Sequence, residues 1–261
     1  MYYKIKRIRL NSSVISKKMD TNPTKSTNYN LETFNEELQK LSSLEMLEWS
    51  LKNFENNLAF TTSFGIQSSV LLHLIQSSSL KNQVKIFWID TGYLPKETYL
   101  YANTLINQLS LNITILQSEI SPAHMEAIHG KLWENKRVED IDKYHHMRKV
   151  DPLEKALKKY SINCWGSGVR AQQTSNRAKM QFIELIRDTL SIRPLLGWSQ
   201  KDIFYYMEEN NLPQHPLFSK GYSSVGDWHS SSPESSNLKG RSTRFGGAKQ
   251  ECGLHVNDYQ I

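Results

Sequence analysis

The sequence predicts an α/β fold, a mostly parallel sheet with helices on both faces, and three observations carry that expectation. Short apolar runs rich in β-branched and aromatic residues alternate with amphipathic stretches at helical spacing. The run over 84–89, Val-Lys-Ile-Phe-Trp-Ile, leaves only Lys85 polar, as a strand buried on both faces requires. Gly-, Ser- or Thr-rich turns follow three of the runs, and sheets of this kind bind ligands beyond the carboxyl ends of their strands.

Taken in order, residues 31–57 read as two short helices. Ser43 is the expected cap of the second, and Leu44, Met46, Leu47 and Leu51 fall near helical spacing. A strand is expected over 58–62. A helix follows over 66–79, with Val70, Leu71, Leu74 and Ile75 on one face. After the strand 84–89 comes a helix over 95–108, with Pro95 near its first turn, where a missing N–H costs nothing. Residues 113–116 read as another strand. Ser121-Pro122 and Asp151-Pro152 both read as capped helix starts, the second opening a helix over 153–160. A strand over 162–165 runs into a Gly-rich turn, and 182–186 with 190–192 form a strand pair. Ser199-x-x-Asp202 is a capping box for a helix reaching about residue 209. Beyond Pro213 the chain turns to Gly, Ser and charge, and periodicity fades. The domain plan is therefore a disordered basic arm over 1–30, an α/β domain over 31–210, and a flexible C-terminal segment over 211–261. The loops after Thr62, Ile89 and Trp165 should meet in space.

Composition narrows the function. The net charge of +6 comes from the arm, where Lys4, Lys6, Arg7, Arg9, Lys17, Lys18 and Lys25 face only Asp20. The rest of the chain balances, which argues against a nucleic-acid surface. No apolar run reaches the roughly 18 residues of a membrane span. Two cysteines in 261 residues make no disulfide framework and suit a reducing, cytoplasmic setting.

Four segments carry chemistry. Cys252 lies in Lys-Gln-Glu-Cys-Gly-Leu-His (249–255), a polar stretch that makes a poor core and presents a nucleophile among Arg241, Arg244, Lys249 and His255. Cationic surroundings favour a thiolate in general. The loop Ser63-Phe64-Gly65-Ile66-Gln67-Ser68 joins a strand to a helix, and the N–H groups of a helix start attract anions. Asp90-Thr91-Gly92-Tyr93 ends a buried strand, where a carboxylate can accept from a sugar or an exocyclic amine. The stretch 166–177 carries Arg170 and Arg177 in a Gly- and Gln-rich loop, and Arg grips phosphate or sulfate with paired N–H groups. Arg148-Lys149 adds cations. Cys164, within an apolar strand, reads as a small core residue.

Ser63 to Gln67, Asp90 to Leu94, Gly130-Lys-Leu-Trp-Glu134, the arginine loop, His215-Pro216-Leu217 and Glu251 to His255 resemble, in order and spacing, the phosphoadenosine phosphosulfate (PAPS) reductase family over about 58–255. The resemblance implies a Rossmann-like, adenine-nucleotide α-hydrolase-like sheet. One branch of that family carries a [4Fe–4S] cluster on four cysteines. Those positions here are His145, His146, Asp227 and Ser230, so a four-cysteine cluster cannot form. The resemblance therefore implies the cluster-free branch: no bound cofactor or metal, PAPS as substrate, reduced thioredoxin or glutaredoxin as electron donor, and a homodimer. It implies Cys252 as the nucleophile that carries a sulfonate. Ser63, Phe64, Gly65, Gln67, Asp90, Gly92, Lys149, Arg170, Arg177, Arg241, Arg244 and His255 are the expected substrate contacts. The family often has Arg-Arg where this chain has Arg170-Ala171. Two further enzymatic readings are a cluster-free reductase of adenylyl sulfate (APS) and an ATP pyrophosphatase-type enzyme. The latter lacks support from the first loop, which has neither the second Gly nor the Asp of Ser-Gly-Gly-x-Asp-Ser. A non-catalytic nucleotide sensor or RNA binder using the basic arm is the alternative from another class.

Overall fold

The computed structural model describes residues 30–257; the arm expected over 1–30 lies, but for Asn30, outside the described residues. Helices α1 (Leu31–Leu38) and α2 (Ser43–Phe54) lead into β1 (Leu58–Thr62), α3 (Ser68–Gln76), β2 (Lys85–Ile89), α4 (Lys96–Leu109) and β3 (Ile113–Leu116). Then come α5 (Pro122–His129), α6 (Val138–His145), a π-helical turn over His146–Val150, and α7 (Asp151–Lys159). The chain returns to the sheet as β4 (Cys164–Gly166), β5 (Ile183–Ile186) and β6 (Thr189–Ile192), and α8 (Gln200–Glu209) follows. Past α8 it is built from short 3-10 turns.

The six strands are ordered β3-β2-β1-β4-β6-β5, parallel throughout except for the β5–β6 hairpin at one edge. Side chains alternate across the sheet with the period of two that strands impose. Leu58 and Phe60 of β1 join the larger core, under α1 to α4 and α8, while Ala59 joins the core beneath α7. Both faces are thus covered, as the unbroken burial of β1 requires. A third cluster, of Tyr93, Trp133, Tyr144 and Phe245 among others, lies apart from these two. The order makes β1 the switch point. The chain leaves it toward β2 and β3 on one side and returns beside it as β4 on the other, and a crevice opens where connections diverge in this way.

Two helix starts differ from expectation. Ser42, not Ser43, caps α2, in a reciprocal box with Glu45. Ser43 lies inside the helix, donating to the Pro194 carbonyl at 2.6 Å and accepting from Trp198 Nε1 at 2.7 Å. Asp151-Pro152 opens α7 as expected, but the start is not a capped one: Val150 precedes it in helical conformation and no side chain caps it. The chain runs on from α6 through the π turn, and the Asp151 N–H reaches back five residues to the His146 carbonyl. A wide turn supplies the room that a proline ring lacks inside a regular helix. It also leaves Arg148 and Lys149 buried rather than in solvent.

Candidate active site

The loops of the switch point are built first. After β1, the Phe64 N–H donates to Thr62 Oγ1 at 3.2 Å and Phe64 takes a φ of 47°. Its ring, fully buried, meets Trp88 edge-on at 4.9 Å. That anchor sets Ser63, Gly65 and Gln67 at the crevice. After β4, the Ser167 N–H continues the ladder to the Ile192 carbonyl at 3.1 Å. The Arg170 N–H donates to Gln173 Oε1 at 3.1 Å, and the Arg170 guanidinium donates to Gln67 Oε1, joining the two loops.

Between them lies a cavity of about 220 Å³. Ser63, Gly65, Gln67, Lys149, Arg170, Arg177, Arg241, Arg244, Cys252 and His255 all line it. Three of the residues expected to contact substrate, Phe64, Asp90 and Gly92, are not among those that line it. Phe64 backs the loop from the core. The Asp90 carboxylate is taken up locally, accepting from the Gly92 N–H at 2.9 Å, from the Tyr99 hydroxyl at 2.7 Å and from Gln117 Nε2 at 2.8 Å. Gly92, with a φ of 75°, is the bend of that same turn. The strand-end position of Asp90 signalled a ligand contact, but its neighbours satisfy it.

The cationic wall is more tightly engineered than its sequence shows. Lys149 Nζ donates to Asp227 Oδ2 at 2.6 Å, and Asp227 is wholly buried. The Thr91 hydroxyl donates to the other carboxylate oxygen. Burial alone would raise the Asp227 pKa, but Lys149, His229 and Arg244 overcome it and hold the carboxyl well below the usual range. Arg244 donates to Ser230 Oγ at 2.6 Å and Ser231 Oγ at 3.2 Å. Its guanidinium lies so close to Gly226 that a Cβ there would stand 2.1 Å away. Asp227 and Gly226 escaped sequence reasoning because what demands them, Lys149 and Arg244, is remote in sequence. Burial, then repulsion from Arg177, lowers Arg170 to about 10; burial and Arg177 do the same to Arg241, with Glu251 and Cys252 opposing. Both stay cationic at neutral pH.

At the positions where the cluster-bearing branch has cysteine, Asp227 is in its ion pair and Ser230 receives Arg244. His145 is buried beside Phe245, ring centroids 5.4 Å apart. Burial, then the charge of Lys149, holds its imidazole well below its ordinary pKa. His229 stacks on Trp133 at 3.9 Å and meets the Tyr144 hydroxyl at 3.1 Å.

Cys252 reaches the cavity on a tail held from both sides. Upstream, Lys249 pairs with Asp142 of α6, and Arg241 donates to the Gln250 carbonyl. Glu251 accepts from Arg177 Nε at 3.0 and 3.1 Å, from Arg177 Nη2 at 2.8 Å and from the Thr174 hydroxyl at 2.7 Å. Downstream, Arg187 at the β5–β6 turn donates to the carbonyls of Gly253 and Leu254, each at 3.2 Å, and of Val256 at 2.5 Å. The His255 ring stacks on Trp165 of β4 at 5.0 Å. Cys164 is fully buried in β4, and burial pushes its thiol pKa up.

A sequence model of the phosphoadenosine phosphosulfate reductase domain matches residues 57–233. The chain belongs to the PAPS reductase family. A Synechococcus protein named phosphoadenosine 5'-phosphosulfate reductase is 48% identical over 227 residues, spanning 87% of this chain and 97% of its own. A Synechocystis protein of the same name is 42% identical over 231 residues, 88% of this chain and 92% of its own. Among solved structures, PAPS reductase from Candida auris, in a phosphate complex, superposes with a TM-score of 0.68 at 28% identity, over 80% of this chain and 98% of that one. FMN adenylyltransferase of Candida glabrata shares the fold alone, with a TM-score of 0.55 at 13% identity, over 83% of this chain and 71% of that one. The PAPS reductase domain match ends before Cys252, so the role of the tail rests on where it lies.

Proposed function

We propose that this chain reduces 3'-phosphoadenylyl sulfate to sulfite and adenosine 3',5'-bisphosphate. The observation that carries the reading is the meeting of Cys252 with the Ser63–Gln67 loop and with Lys149, Arg170, Arg241 and Arg244 around one cavity at the β1/β4 switch point. A phosphate–sulfate anhydride is the anion such a wall suits, and a sulfur nucleophile is the group that attacks it.

The loop N–H groups and hydroxyls and the Lys149 and Arg170 cations hold the phosphates and sulfate. The Cys252 thiolate attacks sulfur. An S–S bond forms as the S–O bond breaks, and its electron pair leaves on the phosphate oxygen of adenosine 3',5'-bisphosphate. Arg241 and Arg244, which line the same cavity as Cys252, neutralise the charge that moves. A Cys252 S-sulfonate remains. A thiolate of an external dithiol, thioredoxin or glutaredoxin, then attacks the Cys252 sulfur and sulfite departs. The donor's second thiol resolves the mixed disulfide and restores Cys252. The donor's two electrons are those that reduce sulfate sulfur to sulfite.

The test is mass spectrometry of the tail after mixing with PAPS, reductant withheld, and with APS in parallel. A sulfonate on Cys252 from PAPS, released as sulfite by reduced thioredoxin, is the expected result. No adduct from either nucleotide overturns the reading, and an equal adduct from APS overturns the assignment of substrate.

A further inference from the structure

The arginine loop supplies two guanidiniums to the cavity, and they are occupied differently. Arg170 reaches Gln67 on the opposite loop, a neutral partner that leaves its charge available to an anion. Arg177 meets a carboxylate. Its Nε and Nη2 fork the Glu251 carboxylate, while Nη1 donates to Gln173 Oε1. The Thr174 hydroxyl donates to the same carboxylate, and the Arg177 N–H donates to Thr174 Oγ1 at 3.1 Å, so one turn of the loop presents the whole receptor. Both partners are largely withdrawn from water, with 6% of the Arg177 side chain exposed and 12% of that of Glu251. Burial by itself would raise the Glu251 pKa, but Arg177 and Arg241 hold it below the ordinary carboxylate value. A forked, buried Arg–carboxylate pair fixes position and angle as a single bond does not. Glu251 directly precedes Cys252, so what fixes the one places the other.

We propose that Arg177 and Glu251 form a positioning pair that sets Cys252 against the substrate, so that Arg177 serves the tail while Arg170 serves the anion. This rests on the thiol-transfer reading above, but its central readout does not need turnover. Two bland alternatives are open to test: Arg177 as a direct phosphate ligand that Glu251 occupies only until substrate displaces it, and the pair as a contributor to folding alone.

The experiment uses the full chain and the variants Arg177→Gln, Glu251→Gln, the double variant and Arg177→Lys. It measures the alkylation rate of Cys252 by iodoacetamide, followed by mass spectrometry, and the affinity for adenosine 3',5'-bisphosphate by calorimetry. The single variants are expected to raise the alkylation rate by a similar factor, about fivefold or more, with nucleotide affinity changed less than about threefold. The double variant should be no faster than either, because the residues act as one unit. Lys at 177 keeps the charge but loses the fork, so partial rescue is expected. In turnover, kcat should fall about tenfold or more with KM nearly unchanged. The inference is overturned if Arg177→Gln weakens nucleotide binding tenfold or more while Glu251→Gln tightens it, the signature of a displaced phosphate ligand. It is also overturned if the single effects on alkylation are absent or add in the double variant. Should Arg177→Gln fail to fold, Glu251→Gln against Glu251→Asp gives the same reading: faster alkylation in either supports the pair, and wild-type rates in both sink it. If wild type yields no sulfite while the alkylation pattern holds, the proposed reaction has failed and the pair has not.

Discussion

The two cysteines sit in regions made rigid by different means. Cys164 is carried by β4, in register with Leu58 of β1 and Leu190 of β6, and the backbone ladders on either side fix it. Cys252 is carried by a tail of which no described residue joins a sheet ladder, and side chains hold it: Arg177, Arg187, Lys249 and His255, reaching partners on α6, β4 and the loops. A ladder repeats its bonds at every residue and tolerates losing any one. A tail held by single contacts changes position when one is lost, and that sensitivity suits the proposed role, in which Cys252 would meet first a nucleotide and then a second protein.

The sharpest way to break this contrast is to exchange each thiol for a hydroxyl. Cys252→Ser should reduce sulfite formation to background while adenosine 3',5'-bisphosphate still binds; continued turnover would remove Cys252 from the chemistry. Next in size is Asp227→Asn. It leaves Lys149 buried without its counter-ion, and breaking a buried pair costs about 3–5 kcal/mol. Urea unfolding would read that loss, and a change below about 1 kcal/mol would mean the pair is dispensable to the frame.

The third prediction concerns acid and the tail. His255 is held well below its ordinary pKa, by burial first and then by Arg193, Arg177, Arg241 and Arg187, so the docked tail carries it neutral. An undocked histidine titrates near 6.5. Docking should therefore be intact above that pH and weaken as pH falls through it, by up to about tenfold per pH unit. Hydrogen exchange over 249–257, corrected for intrinsic rates, would show it, and His255→Phe should flatten the dependence. The smallest expected effect belongs to Cys164→Ser. An unsatisfied buried hydroxyl costs about 1–3 kcal/mol, but turnover should stay within about twofold; a large loss of rate would mean that the sheet thiol has a part in the reaction.

What the sequence discloses follows the same division. Strands β1 to β6 were legible because a two-faced core demands apolar runs that turn signals interrupt, and the Ser199-x-x-Asp202 box was legible because its partners are three residues apart. The cysteine, both loops that line the cavity and their cations could be named from residue type and spacing. Helix α6 was not, since Ile141, Tyr144 and His145 are too few buried positions to show a period and Asp151-Pro152 looks like a beginning. Nor were Asp227, Arg187 and Asp142. Each is explained by partners 33 to 136 residues away along the chain, and such pairing leaves no local trace.

The π turn over His146–Val150 has one more consequence. A single surplus residue there sets the rotational phase of Arg148 and Lys149 relative to the helix that precedes them. Closing that turn into an ordinary spiral with every residue retained would swing everything downstream by one residue's rotation, about 100°, carrying the Lys149 ammonium away from Asp227. The enzyme could thus be silenced by rewinding a stretch that contributes no nucleophile, with all of its reactive groups still in the chain.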